Sequence, residues 1–289
     1  MERIFRWFDK NKNRETPFVL AVKFLYSVTN DWLVMTTNTL TPIFLSILYE
    51  DEKKNKFMVL IIIYILFLWW YSIVNIYKNR RNKKEKNVKM INEDINVAMT
   101  TLDNYINNEY EENGVFEFAS DLVSASIYDS IGQIIECEIR VSVIQQFIDN
   151  SKKNCVMVSR RSKKRQKSRK QQKIVKYKRH KDYYYNKILL DNSEGMIIFN
   201  EEQIEKNFYY QNEDRKSHIR QFIAIPDKNS SDEIVFILQL DAMKSDAFGK
   251  NREDINDFYD NYIYPYICFL RHAYNIEKNL KKRKVVDNE

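Results

Sequence analysis

Glycine and proline are scarce in this chain, with four of each in 289 residues. That excludes long Gly/Pro-rich linkers and predicts substantial helix. Cysteine is scarce as well. Cys137, Cys155 and Cys268 form an odd, scattered set without metal-type spacing, which argues against a disulfide framework and against zinc. The three histidines, His180, His218 and His272, stand alone. The sequence holds no Gly-rich phosphate loop, no His-Glu metal motif and no serine elbow. Its many Asp and Glu form no pair that stands out from an acidic surface. No catalytic residue, metal ligand or cofactor is nominated, and the chain is expected to be non-enzymatic. The start, MERIFRWFDKNKNRE, lacks the apolar core and cleavage site of a secretory leader.

Against these absences stands one long apolar run. Residues 57–77 read FMVLIIIYILFLWWYSIVNIY and contain no ionisable acid or base of the Asp, Glu, Lys or Arg type. At about 1.5 Å per residue the run is long enough to cross a hydrocarbon core of roughly 30 Å. Lys78, Arg80, Arg81, Lys83 and Lys84 follow at once, and a Lys/Arg cluster marks the side retained in the cytoplasm. Residues 32–49 (WLVMTTNTLTPIFLSILY) supply a second span, polar for a lipid-facing helix because of Thr36, Asn38 and Thr39. Such a stripe either hydrogen-bonds between packed helices or lines a contact or pore formed on oligomerisation. The short link EDEKKNK makes the two spans a hairpin. The arm before them carries Arg3, Arg6, Lys10, Lys12 and Arg14, so both termini are expected in the cytoplasm. The abundance of Asn, Lys, Ile and Tyr suits an AT-rich bacterial genome, which makes the expected location the bacterial inner membrane.

The domain reading is then a basic arm with an amphipathic interfacial segment over 1–30, a transmembrane hairpin over 31–77, a basic juxtamembrane and linker helix over 78–110, and a cytoplasmic domain over 111–284. Residues 87–108 place Val88, Ile91, Ile95, Ala98, Met99, Leu102, Tyr105 and Ile106 on one helical face. A second short helix is expected over 119–131. From Glu138 the period changes to two. Strands are predicted at 138–148, 155–158, 195–199, 219–225 and 234–240, with residues 226–232 (PDKNSSD) as the loop of a hairpin. Residues 252–284 form a long amphipathic helix, with Pro265 as its bend. The fold class is α+β: an antiparallel sheet flanked by helices behind a membrane hairpin.

Three consecutive stretches carry a family resemblance. Phe222-Ile223-Ala224-Ile225-Pro226 ends one strand; Val235-Phe236-Ile237-Leu238-Gln239-Leu240-Asp241 forms the next; Ala247-Phe248-Gly249-Lys250-Asn251-Arg252-Glu253-Asp254-Ile255 is a Phe-containing loop leading into an acidic helix start. Residues 217–274 thus resemble the C-terminal half of a GAF domain. The resemblance implies a sensor, with helices behind a sheet and a ligand pocket on the other face. The chain departs from the family's pattern in two ways. Gly195 is the only glycine near the expected pocket loop, and a basic insertion occupies 159–181.

The net charge of +7 is concentrated. Residues 151–181 hold fifteen Lys/Arg and no acid, and 78–89 hold seven Lys/Arg against one Glu. The rest of the chain is acidic. Such patches point to an anionic partner. Arg160, Arg161, Lys163, Lys164 and Arg165 open the larger one. Three readings compete for it: attraction to anionic lipids of the inner leaflet, nucleic-acid binding with nearby tyrosines as stacking surfaces, or a solvated insertion. The tether puts the lipid reading first. Two function classes follow. In one, a small-molecule or protein signal received by the GAF-like domain acts through the hairpin. That layout resembles bacterial antiphage effectors with two transmembrane helices. In the other, the hairpin is a passive anchor for a regulatory or scaffolding domain. Homo-oligomers suit both.

Overall fold

The computed structural model describes residues 54–108, 114–149, 152–163, 174–175, 196–207 and 218–287. The arm, the first expected span with Thr36, Asn38 and Thr39, and Lys164 and Arg165 lie outside the described residues. The chain divides into two units, residues 1–86 and 87–289.

In the first unit the described residues belong to helix α1, Lys54–Asn108. The apolar run 57–77 and the linker helix expected to lead out of it lie in this one continuous helix, and residues 78–86 between them contain no Gly or Pro to break it. An ion pair four residues apart, Arg81 Nε to Glu85 Oε1 at 2.8 Å, supports that stretch. Val59, Ile62, Ile63, Ile65, Leu66, Trp69 and Ile76 are exposed large apolar side chains. Among the described residues, α1 is the one helix long and apolar enough to cross a membrane.

The second unit is a six-stranded antiparallel sheet with helices. Its order in the chain is α2 (Val115–Ser126), a π-helical turn (Ile127–Ile131), α3 (Gly132–Ile135), β1 (Ile139–Asp149), β2 (Lys152–Arg161), β3 (Ile174–Val175), β4 (Ile197–Phe199), α4 (Glu201–Asn207), β5 (Gln221–Lys228), β6 (Ile234–Ala242), α5 (Arg252–Phe258), a second π-helical turn (Tyr259–Ile263) and α6 (Tyr264–Asp287). The strand order is β3-β2-β1-β6-β5-β4. Strand β6 lies between β1 and β5, and all nine of its residues are buried, as a central strand requires.

One face of the sheet packs on helices. Val141 and Val143 of β1, Ile223 and Ile225 of β5, and Phe236, Leu238 and Leu240 of β6 join Ile91, Ala98 and Leu102 of α1, Phe116 and Val123 of α2, and Tyr266 and Leu270 of α6 in one core. Phe116 anchors it, with ring centroids 5.6 Å from Phe236 and 5.8 Å from Tyr274. Glu277 of α6 accepts a 2.8 Å hydrogen bond from the Phe116 N–H, which satisfies a free donor at the start of α2. Asp227, buried at the end of β5, receives the Arg271 guanidinium of α6.

Two prolines differ from expectation. Pro226, placed in the loop by its turn-rich neighbours, lies within β5 and pairs with Ile237. The described pairing of β4 to β5 covers only Phe222, Ile223 and Ala224, so β5 at Pro226 has one described neighbour and a missing N–H is tolerated. The turn itself tightens to Asn229–Glu233, where the Asn229 side chain accepts from the Ser231 and Glu233 N–H groups. Near Pro265, where a bend was expected, the chain forms the π-helical turn 259–263. Proline lacks an N–H and crowds the carbonyl four residues earlier, and the wider turn just before it relieves that crowding.

Candidate functional site

Alternate residues of the same strands form the other face of the sheet. Register identifies them. Arg140 stands opposite Asp241, Ser142 opposite Gln239 and Ile144 opposite Ile237 across β1 and β6. Phe222 stands opposite Asp241 and Ala224 opposite Gln239 across β5 and β6. Phe199 pairs with Phe222, and Arg160 of β2 pairs with Ser142. The alternation is confirmed by a second apolar cluster: Ile144, Phe199, Phe222, Ala224 and Ile237 pack together with Ile204 of α4 and Ile219.

Two rows cross this face. The first runs Arg160, Ser142, Gln239, Ala224, Ile197; the second runs Arg140, Asp241, Phe222, Phe199. Polar groups therefore fill the β2–β1–β6 side and apolar groups the β5–β4 side. Ser142, Gln239 and Asp241 are 5%, 8% and 6% exposed, a degree of burial that polar side chains reach only when partnered. Gln239 Nε2 donates to Asp241 Oδ1 at 3.1 Å. Arg140 is half-buried and approaches Met243 Sδ at 4.0 Å. Two guanidiniums, one carboxylate and neutral donors and acceptors beside a pair of phenylalanines (centroids 5.7 Å apart) suit a small ligand with an anionic end and an apolar or planar body.

The apolar side is pinned at its lower edge. Asn200 and Gln203 cap the start of α4 reciprocally through their side chains at 3.0 Å. Glu201 binds Arg220 and accepts from Ser245 Oγ at 2.7 Å. The loop after β6 is fixed by buried Gln221, which accepts from the Phe248 N–H and donates to the Gly249 carbonyl, both at 2.8 Å. Gly249 has φ 138°, and a Cβ there would lie 2.6 Å from Asp254 Cβ, so only glycine fits this turn into α5.

The sequence-nominated residues fall in separate places. Arg80, Arg81, Lys83 and Lys84 are exposed on α1, and Lys78 is half-buried there. Arg160 and Arg161 belong to β2 rather than to a loop, and strand alternation parts them. Arg160 joins the polar row, whereas Arg161, opposite Val141, lies on the helix-packed side near Tyr128. Lys163 is exposed just beyond the strand. Among the described residues no group of His, Cys, Asp and Glu could hold a metal ion. Burial pushes the Cys137 thiol up, away from reactivity. Arg140, Ser142, Gln239 and Asp241 were not singled out from the sequence. Their signal was present as polar residues at alternate positions of strands otherwise built from apolar ones.

No family model matches the chain, and no curated protein does. Similar solved structures include several GAF domains. That of a two-component sensor histidine kinase from Bacillus halodurans shares 12% identity at a TM-score of 0.33, covering 47% of this chain and 84% of that one. The A. aeolicus nlh2 GAF domain in an inactive state shares 14% at 0.41, covering 67% and 98%. The GAF domain of an Acinetobacter phosphoenolpyruvate-protein phosphotransferase shares 8% at 0.38, covering 68% and 95%.

Proposed function

We propose that this chain is a membrane-anchored, non-enzymatic sensor. Its GAF-like domain receives a small anionic molecule on the polar rows of the sheet and acts through the membrane segment. The supporting observation is the buried polar band of Ser142, Gln239 and Asp241 between Arg140 and Phe222. A face serving only as core would have no use for it, since burying polar groups without gain costs stability. In the finer form of the proposal, the hairpin with Thr36, Asn38 and Thr39 perturbs the bacterial inner membrane as the effector of an antiphage system. Lys78, Arg80, Arg81, Lys83 and Lys84 hold the juxtamembrane segment against anionic lipid, and the basic tract from Lys163 onward adds to that attraction.

The ligand reading is tested with the full chain in phosphatidylglycerol-containing nanodiscs. Thermal unfolding is followed against a panel of mononucleotides, cyclic dinucleotides and short oligonucleotides. A binder at about 100 times its Kd stabilises by roughly 2.7 kcal/mol, and Arg140→Gln should remove the shift. A shift that persists in Arg140→Gln would move the site elsewhere. The output reading is tested in cells: expression with the trigger should depolarise the membrane. Toxicity that survives deletion of residues 1–77 would refute it. Retained function after replacement of the hairpin by an unrelated two-helix anchor would reduce the membrane segment to a tether.

A further inference from the structure

The helix-packed face contains a polar node that the ligand reading does not use. Asp94 lies on the α1 face that carries Ile91, Ile95 and Ala98 into the core. Two hydroxyls converge on its Oδ2: Ser130 Oγ donates to it, and so does Tyr266 OH at 3.3 Å. Tyr266 and Ser130 also lie within hydrogen-bonding reach of each other. Tyr266 is 0% exposed, so this hydrogen bonding takes place away from water.

The donors have unusual local surroundings. Ser130 is inside the π-helical turn 127–131, and Tyr266 follows the turn 259–263 by three residues. A π-helical turn accommodates one residue more than α-helical pairing allows, and such turns concentrate at functional sites. Shifting a turn by one residue moves the residues it displaces by about 1.5 Å along the axis and about a quarter of a turn around it. Either shift would carry Ser130 or Tyr266 away from Asp94. Two further contacts define the rotation of this part of α1. The Asn87 side chain bonds Tyr262 within the second π-helical turn, and Tyr105 stacks on Phe118 of α2 at 4.1 Å.

We propose that Asp94 is the register pin through which the sheet domain sets the rotation of the linker part of α1. Its two hydroxyl partners come from the two π-turned segments, and displacement of either turn frees the helix. The proposal rests on the sensor reading for its purpose, but its test needs neither ligand nor membrane output. It is a positioning role.

The test is amide hydrogen exchange on the full chain in nanodiscs, comparing wild type with Ser130→Ala, Tyr266→Phe and Asp94→Asn. Each substitution nearly conserves volume, and a thermal melt confirms folding. Loss of one hydroxyl should speed exchange across 88–104 of α1 about tenfold, although neither Ser130 nor Tyr266 belongs to that helix. In the Asp94→Asn background the added effect of either hydroxyl removal on α1 should shrink to less than about twofold. Faster exchange confined to 127–131 or 259–266, with α1 unchanged, would overturn the proposal. So would full additivity with Asp94→Asn. Unfolding of one variant leaves the other two to decide.

Discussion

On the helix-packed face of the sheet, buried polar groups such as Ser120, Ser159, Asp227 and Glu277 make hydrogen bonds that hold the fold together. Ser159 donates to Ser124, Ser120 to the Phe116 carbonyl, Arg271 to Asp227, and the Phe116 N–H to Glu277. On the opposite face, the same strands present Arg140, Ser142, Gln239 and Asp241 as a continuous band. The first arrangement locks helices to strands, and nothing in it needs a visitor. The second concentrates hydrogen-bonding capacity beside an aromatic pair. A protein tuned only for stability would have made the two faces alike, and natural sites commonly sacrifice some stability for function. Mutations that separate stability from response by face therefore test the comparison directly.

The largest effect is expected from the helix-packed face. Phe236→Ala removes a fully buried ring that meets Phe116 and should cost about 3–5 kcal/mol, read as a lower urea midpoint at unchanged slope. A loss under about 1 kcal/mol would mean that the helices are not held by this core. Next is Asp227→Ala. The carboxylate is 3% exposed on its side chain and Arg271 46%, so the freed guanidinium can rehydrate and the loss should be about 1–2 kcal/mol. A Lys at 271 would not rescue the bidentate geometry that Arg271 Nε and Nη2 make.

Alkaline pH probes the same face more gently. Burial, joined by the Asp94 carboxylate, pushes the Tyr266 phenol far above its ordinary value of 10, and burial also raises Tyr128, Tyr259, Tyr262 and Tyr274. Each folded pKa is raised. The unfolded chain therefore releases protons first, and the stability from these groups is intact below pH 10 and falls as pH rises above it. Tyr266 alone accounts for about 1 kcal/mol between pH 10 and pH 11. Tyr266→Phe should flatten that part of the pH dependence. A stability curve indifferent to pH over this range would show that the phenols are not buried.

Much of this division could be read from the chain before folding. Alternation in residues 138–148 and the apolar run at 234–240 located the two central strands, and the Phe248 loop with its acidic helix start located α5. What local pattern could not supply was partnership across distance. That Arg140 faces Asp241, a hundred residues later, depends on β1 joining β6 rather than only its hairpin mate β2. The run Arg160-Arg161 looked like one basic patch because charge is visible in sequence and strand alternation near a low-complexity tract is not. Asp94 showed no signal either. An aspartate on an amphipathic helix reads as a solvated group until Ser130 and Tyr266 arrive from two other helices.

The smallest effect on stability should carry the largest effect on response. Gln239→Leu replaces a buried amide with an apolar side chain of similar size, in a strand where every residue is buried. The lost bond leaves a buried Asp241 oxygen with one donor fewer and costs about 1–2 kcal/mol, burial of the added apolar surface offsets part of that, and the net loss should stay under about 1 kcal/mol. The thermal shift produced by whichever member of the panel binds, by contrast, should disappear or fall to a small fraction, because an apolar group cannot make the directional contacts that an amide can. Calorimetry on the same sample separates the two quantities. If Gln239→Leu unfolds the domain by several kcal/mol, the band is structural and the faces are not different in kind. If it leaves both stability and ligand response unchanged, the site lies elsewhere on the sheet.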